Sequence, residues 1–241
     1  MLAVLQVEGA APVLVKAMTV QTDLATGLHY ALCLRYLKTG WDFTLKRELL
    51  DWYETTREWE GGNSLQGYVR NIVAGSAERF TPDDRKTLLT SWQSRPFATR
   101  MLLGISTPDN VKDFDQVVDK LLKDVESMPG HAQLQELVSL TIEALGKSRS
   151  EAAQKTLRKL FDQYPDRREQ IVRIMSAHAT EENWPYFVKA LGYADYNIYG
   201  ISYGTKLALE VMRSAPQGVR SVIIDGVAPS WLKLYDLQGQ K

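Results

Sequence analysis

Cysteine is almost absent from this chain: Cys33 is the only one in 241 residues. That excludes an internal disulfide, a four-cysteine zinc site and a Cys-x-x-Cys-His haem attachment. Histidine is nearly as scarce, with His29, His131 and His178 making up the whole supply. Net charge is nil, Lys+Arg and Asp+Glu each numbering 29, so there is no bulk electrostatic argument for nucleic acid or an anionic membrane. Arg57 and the pair Arg167-Arg168 are isolated basic spots, which a neutral chain places on solvated faces. No apolar run approaches membrane-spanning length. The opening Met1–Glu8 segment lacks a basic start and carries Glu8 in its apolar run, which argues against a signal peptide and leaves the cytoplasm as the default location. No nucleic-acid or membrane partner, no cofactor and no metal are expected.

What is present is an ordinary globular balance, 44% hydrophobic and 24% charged, with enough chain to bury a core. From residue 10 to about 190 the apolar residues follow helical rather than alternating spacing. Ala11–Met18 is a short apolar helix. Gln21–Leu37 has Leu24, Leu28, Ala31, Leu32 and Tyr36 spaced for one buried stripe. Asp42 is the expected N-cap of a helix over Phe43–Trp59, with Leu45, Leu49, Trp52 and Tyr53 inward. Ser64, after the Gly61-Gly62-Asn63 break, is the expected cap of a helix burying Leu65, Tyr68, Ile72 and Val73. Thr81-Pro82-Asp83-Asp84 spells a helix start: cap, proline at the first position, acids in the first turn.

Arg95-Pro96 and Thr107-Pro108-Asp109 are read as bracketing a turn region. Val111–Val125 follows with Phe114, Val117, Val118, Leu121, Leu122 and Val125 on one side. Four more helices are expected at Ala132–Leu145, Ser150–Gln163, Arg167–His178 and Glu181–Leu191, the second introduced by the capping-box spacing Ser148-x-x-Glu151. Helices joined by short polar turns, in pairs roughly 35–45 residues apart, define an α-solenoid of eight to ten helices. Around Lys189–Gly192 the pattern changes, which divides the chain into a helical domain over 1–190 and a different segment over 191–241.

Two stretches carry a resemblance for the first part. His29-Tyr30-Ala31-Leu32-Cys33-Leu34-Arg35, with Gly61-Gly62-Asn63-Ser64 downstream, is similar to helical segments of large bacterial multidomain HEAT-repeat proteins, as is His178–Tyr186. Some of that group carry a c-type cytochrome module, and its signature is not in this sequence.

The second part turns on Asn197-Ile198-Tyr199-Gly200-Ile201-Ser202-Tyr203-Gly204. A short β-prone segment runs into Gly-x-Ser-x-Gly and then into the helix-prone Thr205–Arg213, the strand–turn–helix context of a nucleophile elbow. With the lead-in Leu191–Asn197 and lead-out Gly218–Pro229, it resembles the middle of an α/β-hydrolase of the tripeptidyl- or proline-aminopeptidase kind. The resemblance implies a β-α-β fragment with Ser202 as nucleophile and Tyr203 N–H as an oxyanion donor. Gly200 and Gly204 would be the turn glycines, lacking Cβ atoms that would clash.

An acyl-transfer site needs a general base, and in this family the acid and histidine follow the serine. All three histidines precede Ser202, and residues 1–190 hold no His-Gly-Gly-like loop. Asp225 ends the next strand, where the family does not place its acid. His29 and Cys33, spaced i, i+4, share a helix face, but a metal would need further ligands. Packing is the simpler reading of that pair, and of Trp41, Trp52 and Trp59, which otherwise would line a groove.

The leading expectation is therefore a non-catalytic helical-repeat scaffold for a protein or peptide partner, of undetermined oligomeric state, carrying an incomplete hydrolase segment. A serine hydrolase using Ser202, peptidase or esterase, is the second. A fused or truncated reading frame is the third, on the abrupt start and the ending Gln238-Gly239-Gln240-Lys241.

Overall fold

The computed structural model describes residues 6–62, 64–128, 132–178, 180–192, 195–214 and 216–227, so His131, Asn63 and both chain ends lie outside the described residues. Among the described residues the fold is predominantly helical, with one small parallel sheet of two strands. The chain divides into two compact units between Leu157 and Arg158. The change from helices to a strand comes later, between Leu191 and Tyr196.

The first unit contains α1 (Ala10–Thr19), α2 (Leu24–Tyr36), α3 (Phe43–Thr55), α4 (Leu65–Ser76), α5 (Pro82–Thr90), α6 (Pro96–Leu103), α7 (Phe114–Glu126), α8 (Ala132–Leu145) and the start of α9 (Glu151–Gln163). Consecutive helices pack as pairs: α1 on α2, α3 on α4, α5 on α6, α7 on α8. Each even-numbered helix also touches the next even one, giving a continuous row α2–α4–α6–α8. On the odd-numbered side α1 touches α3 and α5 touches α7. Lys46 of α3 reaches α5, its Nζ lying 2.5 Å from Asp84 Oδ2. The odd helices begin at Ala10, Phe43, Pro82, Phe114 and Glu151, about 32 to 39 residues apart, near the expected pair spacing.

Where one face of a helix is apolar, the sequence locates the core correctly. Phe114, Val117, Val118, Leu121, Leu122 and Val125 of α7 are all buried, as are Leu45, Leu49, Trp52 and Tyr53 of α3. Fully burying each such side chain contributes about 1.5–3 kcal/mol relative to exposure, before entropy is counted. In α2 the stripe is shifted: Gly27, Ala31 and Leu34 are buried while Tyr36 is 56% exposed. Its apolar residues are spread around the helix rather than gathered on one side, so periodicity does not select a face, and it packs against both α1 and α4. On α4, Val69 is buried with Ile72 and Val73, whereas Tyr68 is half exposed.

The expected start signals hold at two positions. Asp42 Oδ1 accepts from Leu45 N at 2.8 Å, and Thr81 with Asp84 forms a reciprocal capping box. Ser64 makes no side-chain cap bond. At α9 the cap moves two residues along from Ser148, because Ser148 bonds Asp109 and Ser150 Oγ accepts from Ala153 N at 3.3 Å.

The turn region expected between residues 95 and 109 contains a helix, α6. Its exposed donors are capped from elsewhere in the chain: the Glu54 carboxylate of α3 accepts from Phe97 N at 3.2 Å and from Ala98 N at 2.8 Å. An acid at a helix N-terminus satisfies donors and opposes the helix dipole, and no local pattern reveals one that is forty residues distant. Glu54→Ala should lower unfolding free energy by about 1–2 kcal/mol, and Glu54→Gln by less, read from urea titrations. Equal stability of all three proteins would show that this long-range cap is idle.

The second unit holds the end of α9, then α10 (Arg168–Ser176), α11 (Trp184–Leu191), β1 (Tyr196–Ile201), α12 (Gly204–Ser214) and β2 (Val219–Asp225). Eleven helices precede β1 among the described residues, more than the eight to ten expected, and α6 is the one the sequence reading missed. β1 and β2 pair in parallel, with Ile198 opposite Val222 and Gly200 opposite Ile224. α12 packs against both strands, burying Gly200, Thr205 and Ala208. Trp184 of α11 donates from Nε1 to Tyr196 Oη at 2.6 Å, which ties α11 to the first strand.

Candidate functional site

Ser202 sits between β1 and α12 with φ 52, one of three non-glycine residues with positive φ among the described residues. A residue with a side chain is strained in that region, so the surroundings must hold it there. Two anchors do. Ser202 N–H donates to Asp225 O at 2.9 Å, and Ser202 O accepts from Thr205 N at 3.0 Å and Thr205 Oγ1 at 2.6 Å. Thr205, fully buried, is the holding residue that sequence reasoning passed over. Its signal was a β-branched hydroxyl three residues after the serine.

The two turn glycines are not equivalent. A Cβ on Gly200 would lie 2.7 Å from Gly204 O and 3.0 Å from Ala208 Cβ. One on Gly204 would meet nothing within 4 Å, so the clash expected at both positions exists only at Gly200. Strand and helix approach so closely that only hydrogen fits between them.

Ser202 is exposed, and among the described residues no side chain hydrogen-bonds its hydroxyl. Tyr203 N–H likewise has no bonded acceptor among them, and its ring is 67% exposed. His178 follows α10. Its backbone N–H closes onto Met175 O at 3.1 Å, and its ring makes no hydrogen bond to a described residue. Asp225 contributes its carbonyl to the turn, while its carboxylate lies 3.5 Å from Tyr199 Oη. The arrangement presents a bent serine and a free amide donor, without a bonded proton acceptor at the serine among the described residues.

His29 and Cys33 do meet, at 3.8 Å between Nε2 and Sγ. No group of three or more His, Cys, Asp or Glu arranged for a metal occurs among the described residues. Trp52 and Trp59 meet edge to face at 5.5 Å between ring centres and line a cavity of about 820 Å³, joined there by Asp23, Glu48 and Asp51. Trp41 lies apart from it, donating to Leu37 O at 3.1 Å.

A second feature lies along the row of even helices and was not legible in the sequence. Arg85 of α5 is 4% exposed. Its Nη2 donates to Ala77 O at 2.7 Å and Nη1 reaches Ile105 O at 3.4 Å, while Nε has no partner. Burial pulls this guanidinium below its ordinary pKa, against an upward pull from Glu78. The arginine lines a cavity of about 450 Å³ that also takes Arg35 and Asn71.

No protein-family model, curated protein or solved structure matches the chain. No helix among the described residues is long and apolar enough to cross a membrane.

Proposed function

We propose that this chain is a HEAT-like helical-repeat scaffold that holds a protein or peptide partner, joined to a hydrolase-like strand–turn–helix segment that does not act as an enzyme. The observation that carries the reading is the helix pairing of the first unit. Four successive pairs stack so that α2, α4, α6 and α8 form one row, which is how repeat arrays bury a continuous core and present an extended surface. A serine hydroxyl at neutral pH attacks poorly without an adjacent base, whatever its backbone geometry.

The second reading is a serine hydrolase, favoured by one specific observation. Ser202 at φ 52, between a strand and a helix packed to glycine contact, is the backbone an elbow requires. Here Ser202 would be the nucleophile, Tyr203 N–H an oxyanion donor, and Gly200 and Gly204 the flanking turn residues.

A fluorophosphonate probe separates the two readings. Wild type and Ser202→Ala should label equally, at the background level of surface hydroxyls. Labelling that is saturable and lost in Ser202→Ala would establish the hydrolase reading and remove the scaffold as the sole function.

A further inference from the structure

We infer that the row of even-numbered helices is a docking groove for a peptide segment in which acidic side chains alternate with aliphatic ones. This rests on the scaffold reading above and adds to it the place and the chemistry of the partner. Two cavities, of about 450 and 240 Å³, share Asn71, Ala74 and Ile105, so they are parts of one depression crossing α2, α4, α6 and α8.

Charge selects the occupant. Arg35, Arg70, Arg85, Arg100 and Lys147 line the depression, against the two carboxylates Glu78 and Glu143. This is a local excess in a chain with no net charge. Some of that charge is already engaged: Arg100 lies 3.4 Å from Glu136, and Lys147 donates to Gly104 O at 3.2 Å. Arg35 and Arg70 form no ion pair with a described residue, and the buried Nε of Arg85 is an unused donor. Arginine's fork matches a carboxylate in a two-bond geometry, which makes it suited to recognising aspartate and glutamate.

Position reinforces the charge. A Cβ on Gly75 would lie 2.5 Å from Arg35 Nε, so the arginine's side chain crosses α4 at its one glycine-bare spot in the depression. Met101, Ile105 and Leu140 supply apolar wall between the cations. A nucleic acid fits less well, because no aromatic ring lines either cavity to stack a base.

The test uses the full chain and a fluorescein-labelled peptide of alternating Glu and Leu, with Lys-for-Glu and Ser-for-Glu versions as controls. Fluorescence anisotropy should show saturable binding of the acidic peptide alone, weakening as salt rises. Arg35→Glu with Arg70→Glu should weaken it by about tenfold or more. Lys120→Glu with Lys123→Glu, an equal charge change on exposed positions of α7, should alter it less than about twofold. Circular dichroism melts confirm that both variants remain folded.

Equal weakening by both double variants would reduce the effect to bulk charge and overturn the assignment. Tighter binding of a single-stranded RNA probe, or self-association abolished by the Arg35/Arg70 change, would overturn it in favour of a different occupant. If the Lys peptide binds and the Glu peptide does not, the groove assignment fails while the scaffold reading stands. Ser202-dependent probe labelling bears on the scaffold reading without touching the groove.

Discussion

Asp84→Ala should cost the helical unit about 3–5 kcal/mol, the largest single-residue effect expected from a polar group in this fold. Two functions converge on that carboxylate. It completes the capping box at the start of α5, accepting from Thr81 N at 2.8 Å, and it is the counter-charge of Lys46, whose side chain is only 7% exposed. Removing it strands an ammonium in a dry contact between α3 and α5, with only the ring of Phe80 6.0 Å away as partial compensation. Lys46→Met should cost much less, because a thioether accepts the same burial and Asp84 keeps its cap. Adding Lys46→Met to Asp84→Ala should therefore recover most of the loss, and chemical denaturation of the four proteins measures the coupling. Additive effects would show that the ion pair contributes nothing of its own.

The same group sets a pH limit. Desolvation on its own would raise the Asp84 pKa. Hydrogen bonds from Lys46 and Thr81, with the Lys46 charge, outweigh it and hold the carboxyl below its ordinary 3.8. A depressed folded-state pKa stabilises above the ordinary value and withdraws that stability as pH falls through the folded one. Wild type should thus lose stability below about pH 4 more steeply than the Asp84→Ala/Lys46→Met protein.

The second large effect is at the strand–turn–helix junction. Gly200→Ala should destabilise the second unit by about 1–3 kcal/mol or more, since its methyl would meet the Gly204 carbonyl at 2.7 Å and backbone cannot swing aside as a side chain can. Gly204→Ala, two residues after Ser202 in the same motif, should be neutral or stabilise by up to about 1 kcal/mol, because its methyl meets open space. Hydrogen exchange of the β1 and β2 amides reads both. Equal protection in the two variants would mean that strand and α12 do not approach as closely as described.

The contrast between those glycines shows how far a motif can be read. Gly-x-Ser-x-Gly located the bend and its serine, because the residue types there answer to local backbone geometry. The unequal steric demands on the two glycines depend on where Ala208 and the Gly204 carbonyl come to rest. The helices followed the same rule. α7, with one clean apolar face, was legible residue by residue, whereas the buried face of α2, whose apolar residues are spread around the helix, was not. α6 was hidden because Glu54, which caps it, belongs to α3. The cationic depression escaped for a related reason: Arg35, Arg70, Arg100 and Lys147 lie more than a hundred residues apart end to end, and only stacking brings their helices into one row.

One consequence of the small sheet concerns handling. α12 covers one side, and Tyr199, Ile201 and Ile223 stand 60%, 55% and 59% accessible on the strands. Both strands also lack a further neighbour among the described residues, leaving amide and carbonyl groups unladdered along the outer margins. Such a surface invites intermolecular strand addition as concentration rises, in a chain without net charge to keep copies apart.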